Sequence, residues 1–100
     1  MDKQPRLSAQ TIKVLSALMA SPAADLSGAE VAKQAKLASG TLYPILFRLE
    51  NVGWLKSRWE AGDPTRLGRP RRRFYRITAK GLRNVDQVVR DLTRSVESFA

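Results

Sequence analysis

Residues 39–59, SGTLYPILFRLENVGWLKSRW, change period partway along, and that change decides the fold. Leu42, Leu46 and Leu49 are spaced by four and then three, with Ile45 beside them. This is the repeat of one helix face, and it predicts a helix from about Gly40 to Val52. Ser39 is its candidate cap, and Pro44 falls within the first turn or so, where a missing N–H costs least. The opposite face carries Thr41, Pro44, Arg48 and Asn51. Gly53 is placed to stop the helix. From Leu55 the period becomes two: Leu55, Ser57 and Trp59 share one face of a strand, and Lys56 and Arg58 the other.

Working upstream, Leu7 to Ala20 forms an amphipathic helix in which Ile12, Leu15 and Met19 recur at helical spacing, with Val14 and Leu18 alongside. Ser21-Pro22 ends it, Ala23 to Leu26 make a short connection, and residues 1–6 form a polar tail. Ser27-Gly28-Ala29-Glu30 has the pattern of a capping box, in which hydroxyl and carboxylate each satisfy an orphan N–H. The helix it opens carries Val31, Ala32 and Ala35, and Lys36-Leu37-Ala38 forms a tight turn.

Working downstream, Arg73, Tyr75 and Ile77 alternate with Phe74 and Arg76 in a second strand. The intervening Glu60 to Arg72 holds Gly62, Pro64, Gly68 and Pro70, so the hairpin has a long tip, expected to be mobile when free. Thr78 can cap a last helix whose Leu82, Val85, Val89, Leu92, Val96 and Phe99 form a heptad seam, with Val88 beside it. The order helix, helix, helix, strand, long loop, strand, helix is that of a winged helix: mainly α, with a two-stranded wing. Residues 1–78 would be the DNA-binding domain and 79–100 a C-terminal dimerisation helix. The second and third helices would form a helix-turn-helix able to enter a major groove.

Eighteen Lys and Arg stand against nine Asp and Glu, a net charge of +9. The excess points to a polyanion, double-stranded nucleic acid before an anionic membrane. Arg66, Arg69, Arg71, Arg72, Arg73, Arg76, Lys80 and Arg83 cluster with no acid between Asp63 and Asp86, whereas a solvated face usually mixes signs. Arg69, Arg71, Arg72 and Arg73 are the candidates for phosphates or the minor groove. Tyr43 reads either as a packing residue or as a phosphate contact beside the free N–H groups of a helix start. Trp54 and Trp59 read as core or interface. The chain contains neither His nor Cys, which excludes disulfides, the usual zinc sites and the commonest general base. No paired carboxylates converge at helical or strand spacing, so no enzyme, metal or cofactor is expected. Lack of Cys fits a cytoplasmic protein. Lys3 and Arg6 ahead of Val14 to Ala20 imitate a signal peptide, but the stretch is short, interrupted by Ser16 and preceded by Lys13.

The seam of the last helix has two readings: packing on the first helix of its own chain, or pairing with a second copy. The second is favoured because the remaining helices and strands supply a core without it. A non-specific nucleoid-type binder and a protein-interaction module are the rival functions.

The run Gly40 to Glu50 with Gly53 and Leu55 resembles the signature of PadR-type transcriptional regulators. So does Gly68-Arg69-Pro70-Arg71 leading into Phe74-Tyr75-Arg76-Ile77-Thr78 and Gly81. The resemblance covers residues 8 to 83. It implies a winged-helix dimer that usually represses transcription and is often relieved by a small-molecule effector. A two-fold homodimer would present two recognition helices to successive major-groove faces, so its operator should be an inverted repeat. It places Ser39, Gly40, Thr41, Tyr43, Pro44 and Arg48 where the recognition helix meets DNA, and Arg69 and Arg71 in the wing. Phe47 departs from a position often polar or basic in the family. The single C-terminal helix resembles the short branch, which dimerises through this helix and the first.

Overall fold

The computed structural model describes residues 7–97. The polar tail at 1–6 and Phe99 lie outside them. Helix α1 (Ala9–Met19) starts at Ser8, whose hydroxyl accepts the Thr11 N–H at 3.2 Å. Helix α2 (Gly28–Ala35) has the expected capping box: Ser27 Oγ accepts the Glu30 N–H at 3.1 Å, and Glu30 Oε1 accepts the Ser27 N–H at 3.4 Å. Lys36, at φ 56°, closes it in the left-handed region and turns the chain into helix α3 (Ser39–Asn51).

Ser39 is not the cap of α3. Ala38 holds the capping geometry and Ser39 is the first helical residue, so its hydroxyl sits one position too late to reach the free N–H groups ahead of it. The other end closes as expected at Gly53 (φ 80°), with the Trp54 N–H on Leu49 O at 2.9 Å and the Gly53 N–H on Glu50 O at 3.0 Å. That double closure is a Schellman motif.

The sheet has three strands rather than two. Strands β2 (Leu55–Trp59) and β3 (Arg73–Ile77) pair antiparallel from Leu55 opposite Ile77 to Trp59 opposite Arg73. Strand β1 (Leu26–Ser27) pairs with the other edge of β3, Leu26 opposite Tyr75. Two residues are too few to show a period, so this strand was unreadable in the sequence. Nor is the wing tip bare loop. Between β2 and β3 it makes one helical turn, α4 (Pro64–Leu67), capped by the Asp63 carboxylate on the Thr65 N–H at 3.0 Å and closed by Gly68 at φ 70°. Asp-Pro at the start and Gly at the end are the signals of a short helix.

The core lies between α1, α2, α3 and the sheet. Val14, Leu18, Val31, Leu42, Leu46, Leu49 and Trp54 are its most deeply buried side chains. Helix α5 (Ala79–Glu97) is anchored at its start. Thr78 Oγ1 donates to Gly53 O at 2.6 Å and accepts the Gly81 N–H at 3.0 Å. A Cβ at Gly81 would collide with the Trp54 carbonyl, so only glycine lets the helix cross so close. Beyond Val85, which packs against the core, α5 runs outward and helps stretch the molecule to 59 × 27 × 23 Å. No described helix is long and apolar enough to cross a membrane.

Candidate nucleic-acid interface

Helix α3 buries Leu42, Ile45, Leu46 and Leu49 and leaves its other side to solvent. Gly40, Tyr43, Pro44, Arg48 and Asn51 are exposed there together with Ser39, and Thr41 is half-buried. The expected groove residues therefore share one surface. Phe47 joins them at 67% exposure. Tyr43 packs its ring so close to Gly28 that a Cβ there would meet the hydroxyl at 2.5 Å, and 47% of the residue remains exposed. At the foot of the wing, Tyr43, Pro44 and Phe47 line an open hollow of about 420 Å³ with Glu50, Arg73 and Tyr75.

The wing arginines divide into two groups. Sequence order suggested a face of unmixed positive charge, but the fold brings acids to it from elsewhere. Arg69 grips Glu60 with both arms of its guanidinium, at 2.6 and 3.0 Å. Arg73 donates to Ser57 Oγ at 3.0 Å, reaches Glu50 at 3.4 Å and stacks over Trp59 with 4.9 Å to the ring centre. Asp25, from the connection before β1, accepts from Arg58 at 3.0 Å and from Arg76 at 2.9 Å. The Arg69 hydrogen bond holds the Glu60 carboxyl down at about 2. The Arg58 hydrogen bond, seconded by Arg76, holds Asp25 below its ordinary value. Among the described residues, no acid pairs with Arg66, Arg71 or Arg72, all exposed; Arg71 donates only to the carbonyl of Gly62, at 2.6 Å. Of the four wing arginines singled out in the sequence, Arg71 and Arg72 thus present free charge, while Arg69 and Arg73 brace the hairpin. The three bracing acids were missed because they lie outside the basic run; a hairpin register would have placed Glu60 near Arg72.

The seam residues fall on a second surface. Leu82 (36% exposed), Val89 (54%), Leu92 (58%) and Val96 (68%) lie open along α5. Between α1 and α5 lies an apolar groove of about 450 Å³, lined by Ile12, Leu15, Met19, Val85, Val89 and Leu92 among others. Ile12 is half-exposed and Met19 partly so, but Leu15 belongs to the core of its own chain and shows only the groove's floor.

A family model described as the transcriptional regulator PadR-like family matches residues 24–87. Among solved structures, the chain is similar to a PadR family transcription regulator from Clostridium difficile R20291, at 28% identity and a TM-score of 0.64, covering 92% of this chain and 98% of that one. It is also similar to a PadR family transcriptional regulator from Eggerthella lenta, at 26% identity and 0.66, covering 86% and 76%. A mutant of MepR from S. aureus bound to an oligodeoxyribonucleotide shares the fold at 18% identity and 0.69, over 92% of this chain and 64% of that one. No curated protein sequence matches significantly.

Proposed function

The chain belongs to the PadR-like family of transcriptional regulators, and from that premise we propose that it is a sequence-specific repressor that binds an inverted-repeat operator as a homodimer. The observation that carries this reading is the pairing of two surfaces on one small fold: a polar and basic face on α3 and the wing, and an uncovered apolar seam on α5. In this reading residues 1–78 bind DNA in the cytoplasm and residues 79–100 dimerise.

The division of labour follows from chemistry. Ser39 and Gly40 open α3 with no side-chain cap, so free N–H groups point toward whatever anion approaches, as a phosphate would. Thr41, Tyr43, Pro44 and Arg48 follow along the same helix. Arg71 and Arg72 offer unpaired guanidinium groups to the backbone or minor groove, while Arg69 and Arg73 hold the hairpin that carries them. A second copy laid on α5, with Ile12 and Met19 of α1 contributing, would remove the seam from water, where apolar burial is worth ~25 cal/mol per Å². Two-fold symmetry then sets two recognition helices ~34 Å apart, one turn of duplex. The apolar groove between α1 and α5 lies on that seam, so a small apolar effector entering it would act on the spacing of the two helices.

Selection of bound fragments from random duplexes tests the proposal. The expected product is an inverted repeat bound by two chains, with competitor DNA displaced at moderate salt. Recovery of sequences without a shared motif would favour the nucleoid-type reading, and failure to bind any duplex at low salt would favour a protein-interaction module.

A further inference from the structure

At about 100° per residue along a helix, the four buried residues of α3 define one direction, and the exposed residues can be ranked by how squarely they face away from it. Gly40, Pro44, Phe47 and Asn51 fall within about 30° of the outward direction, whereas Tyr43 and Arg48 lie on the flanks at about 70°. The centre line of the recognition face therefore carries one hydrogen-bonding side chain, Asn51, at its far end. Ahead of that end stand a bare glycine with open space around it, a proline and a phenylalanine that is 67% exposed. The acid one turn beyond Phe47 is drawn off this line: Glu50 accepts the Ser57 hydroxyl at 2.6 Å and is within 3.4 Å of Arg73.

In the major groove, hydrogen-bonding edges are read by polar side chains, and the one apolar feature is the C5 methyl of thymine. Resting on the DNA-binding reading above, we infer that Phe47 is a specificity-determining residue that reads a thymine methyl in each half-site, while Arg48 and Tyr43 on the flanks meet phosphates. Gly40 lets the helix start come close, and Pro44 supplies a second apolar surface one turn before the phenyl ring.

The test replaces each thymine of the selected operator, one at a time, by deoxyuridine, which removes only the methyl group. Full-length protein is titrated on each duplex by fluorescence anisotropy, beside Phe47→Ala and Phe47→Leu. Wild type loses about fourfold at one thymine per half-site, the equivalent of ~0.8 kcal/mol for one buried carbon. Phe47→Ala binds the thymine and deoxyuridine forms equally, with an unchanged salt slope and helical content, and Phe47→Leu retains part of the discrimination. An operator whose deoxyuridine scan is flat for wild type overturns the assignment and leaves the sequence-specific reading standing, as does a Phe47→Ala variant that still distinguishes the methyl. If selection returns no preferred sequence at all, both readings fall together.

Discussion

The wing and the outer part of α5 both project from the compact body, and the chain treats them in opposite ways. The wing satisfies itself. Its neck is closed by the Glu60 N–H on Arg72 O at 2.7 Å, and Glu60 fastens Arg69 and the Arg72 N–H besides. Its tip folds into a helical turn of its own, α4. Helix α5 pairs polar side chains along its own length, Arg90 with Asp86 and Gln87 with Asp91, but past Val85 it leaves Val89, Leu92 and Val96 exposed. A projection that is polar and internally braced can stand alone in water and meet a charged ligand, whereas an apolar one requires a partner. On this contrast, damage to α5 should change assembly first, and damage to the wing should change DNA affinity without touching assembly.

The largest effect is expected at Leu92. Leu92→Asp puts a charge on the seam where burial against a second copy has no compensating partner. The expected result is a monomer with wild-type helical content that binds operator roughly 10²-fold more weakly, because the two half-sites are no longer engaged together. Sedimentation and circular dichroism measured side by side decide it. A folded Leu92→Asp dimer at micromolar concentration would mean that α5 is covered by its own chain, and the contrast with the wing would disappear.

Next come the two groups of arginines. The triple change Arg66→Ala, Arg71→Ala and Arg72→Ala should leave thermal stability and dimerisation alone and flatten the salt dependence of binding by ~0.9 log units per lost phosphate contact. Arg73→Ala should do the reverse: it unbraces Glu50, Ser57 and Trp59, lowering stability with little change in salt slope. Equal slopes for the two variants would erase the division. Arg48→Ala, on the flank of α3, is expected to weaken binding to operator and random DNA alike, with a loss of about one contact in slope; a loss confined to operator would make Arg48 a base reader.

These divisions also mark how far the sequence could be read. Helices α1, α2, α3 and α5, both wing strands and the stop at Gly53 follow from period and capping chemistry, which are local. The seam of α5 was legible as a stripe from its spacing. That its own chain leaves it open followed not from spacing, which says only that residues share a face, but from the other elements supplying a core without it. Leu15 shows the converse: it shares the spacing of Ile12 and Met19 yet turns into the core. Strand β1 and the pairing of Asp25 with Arg58 and Arg76 depend on contacts between residues distant in sequence, which no local pattern encodes. The same holds for the wing, where charge counted along the chain overstated the charge available in space.

The smallest expected effect isolates the wing's own brace. Glu60 in the folded chain titrates at about 2 against an ordinary 4.5, because Arg69 donates to its charged form. A carboxyl held down on folding takes up protons more readily in the unfolded chain, so its contribution to stability is present above pH ~4.5 and is lost as pH falls toward 2. Glu60→Gln removes that contribution at every pH. The melting temperatures of the two proteins should differ slightly and by a constant amount from neutral pH down to about 5, the size being that of a surface ion pair. Between about 4.5 and 2 the gap should close, because wild-type Glu60 becomes neutral as well; Asp25, held below its ordinary value by Arg58 and Arg76, is the same in both proteins and cancels in the difference. If the gap were unchanged at pH 2, the effect of Glu60 would be one of shape rather than charge. The wing would then be braced by its turns alone, Arg69 would be as available to phosphate as Arg71 and Arg72, and Arg69→Ala would flatten the salt dependence as they do.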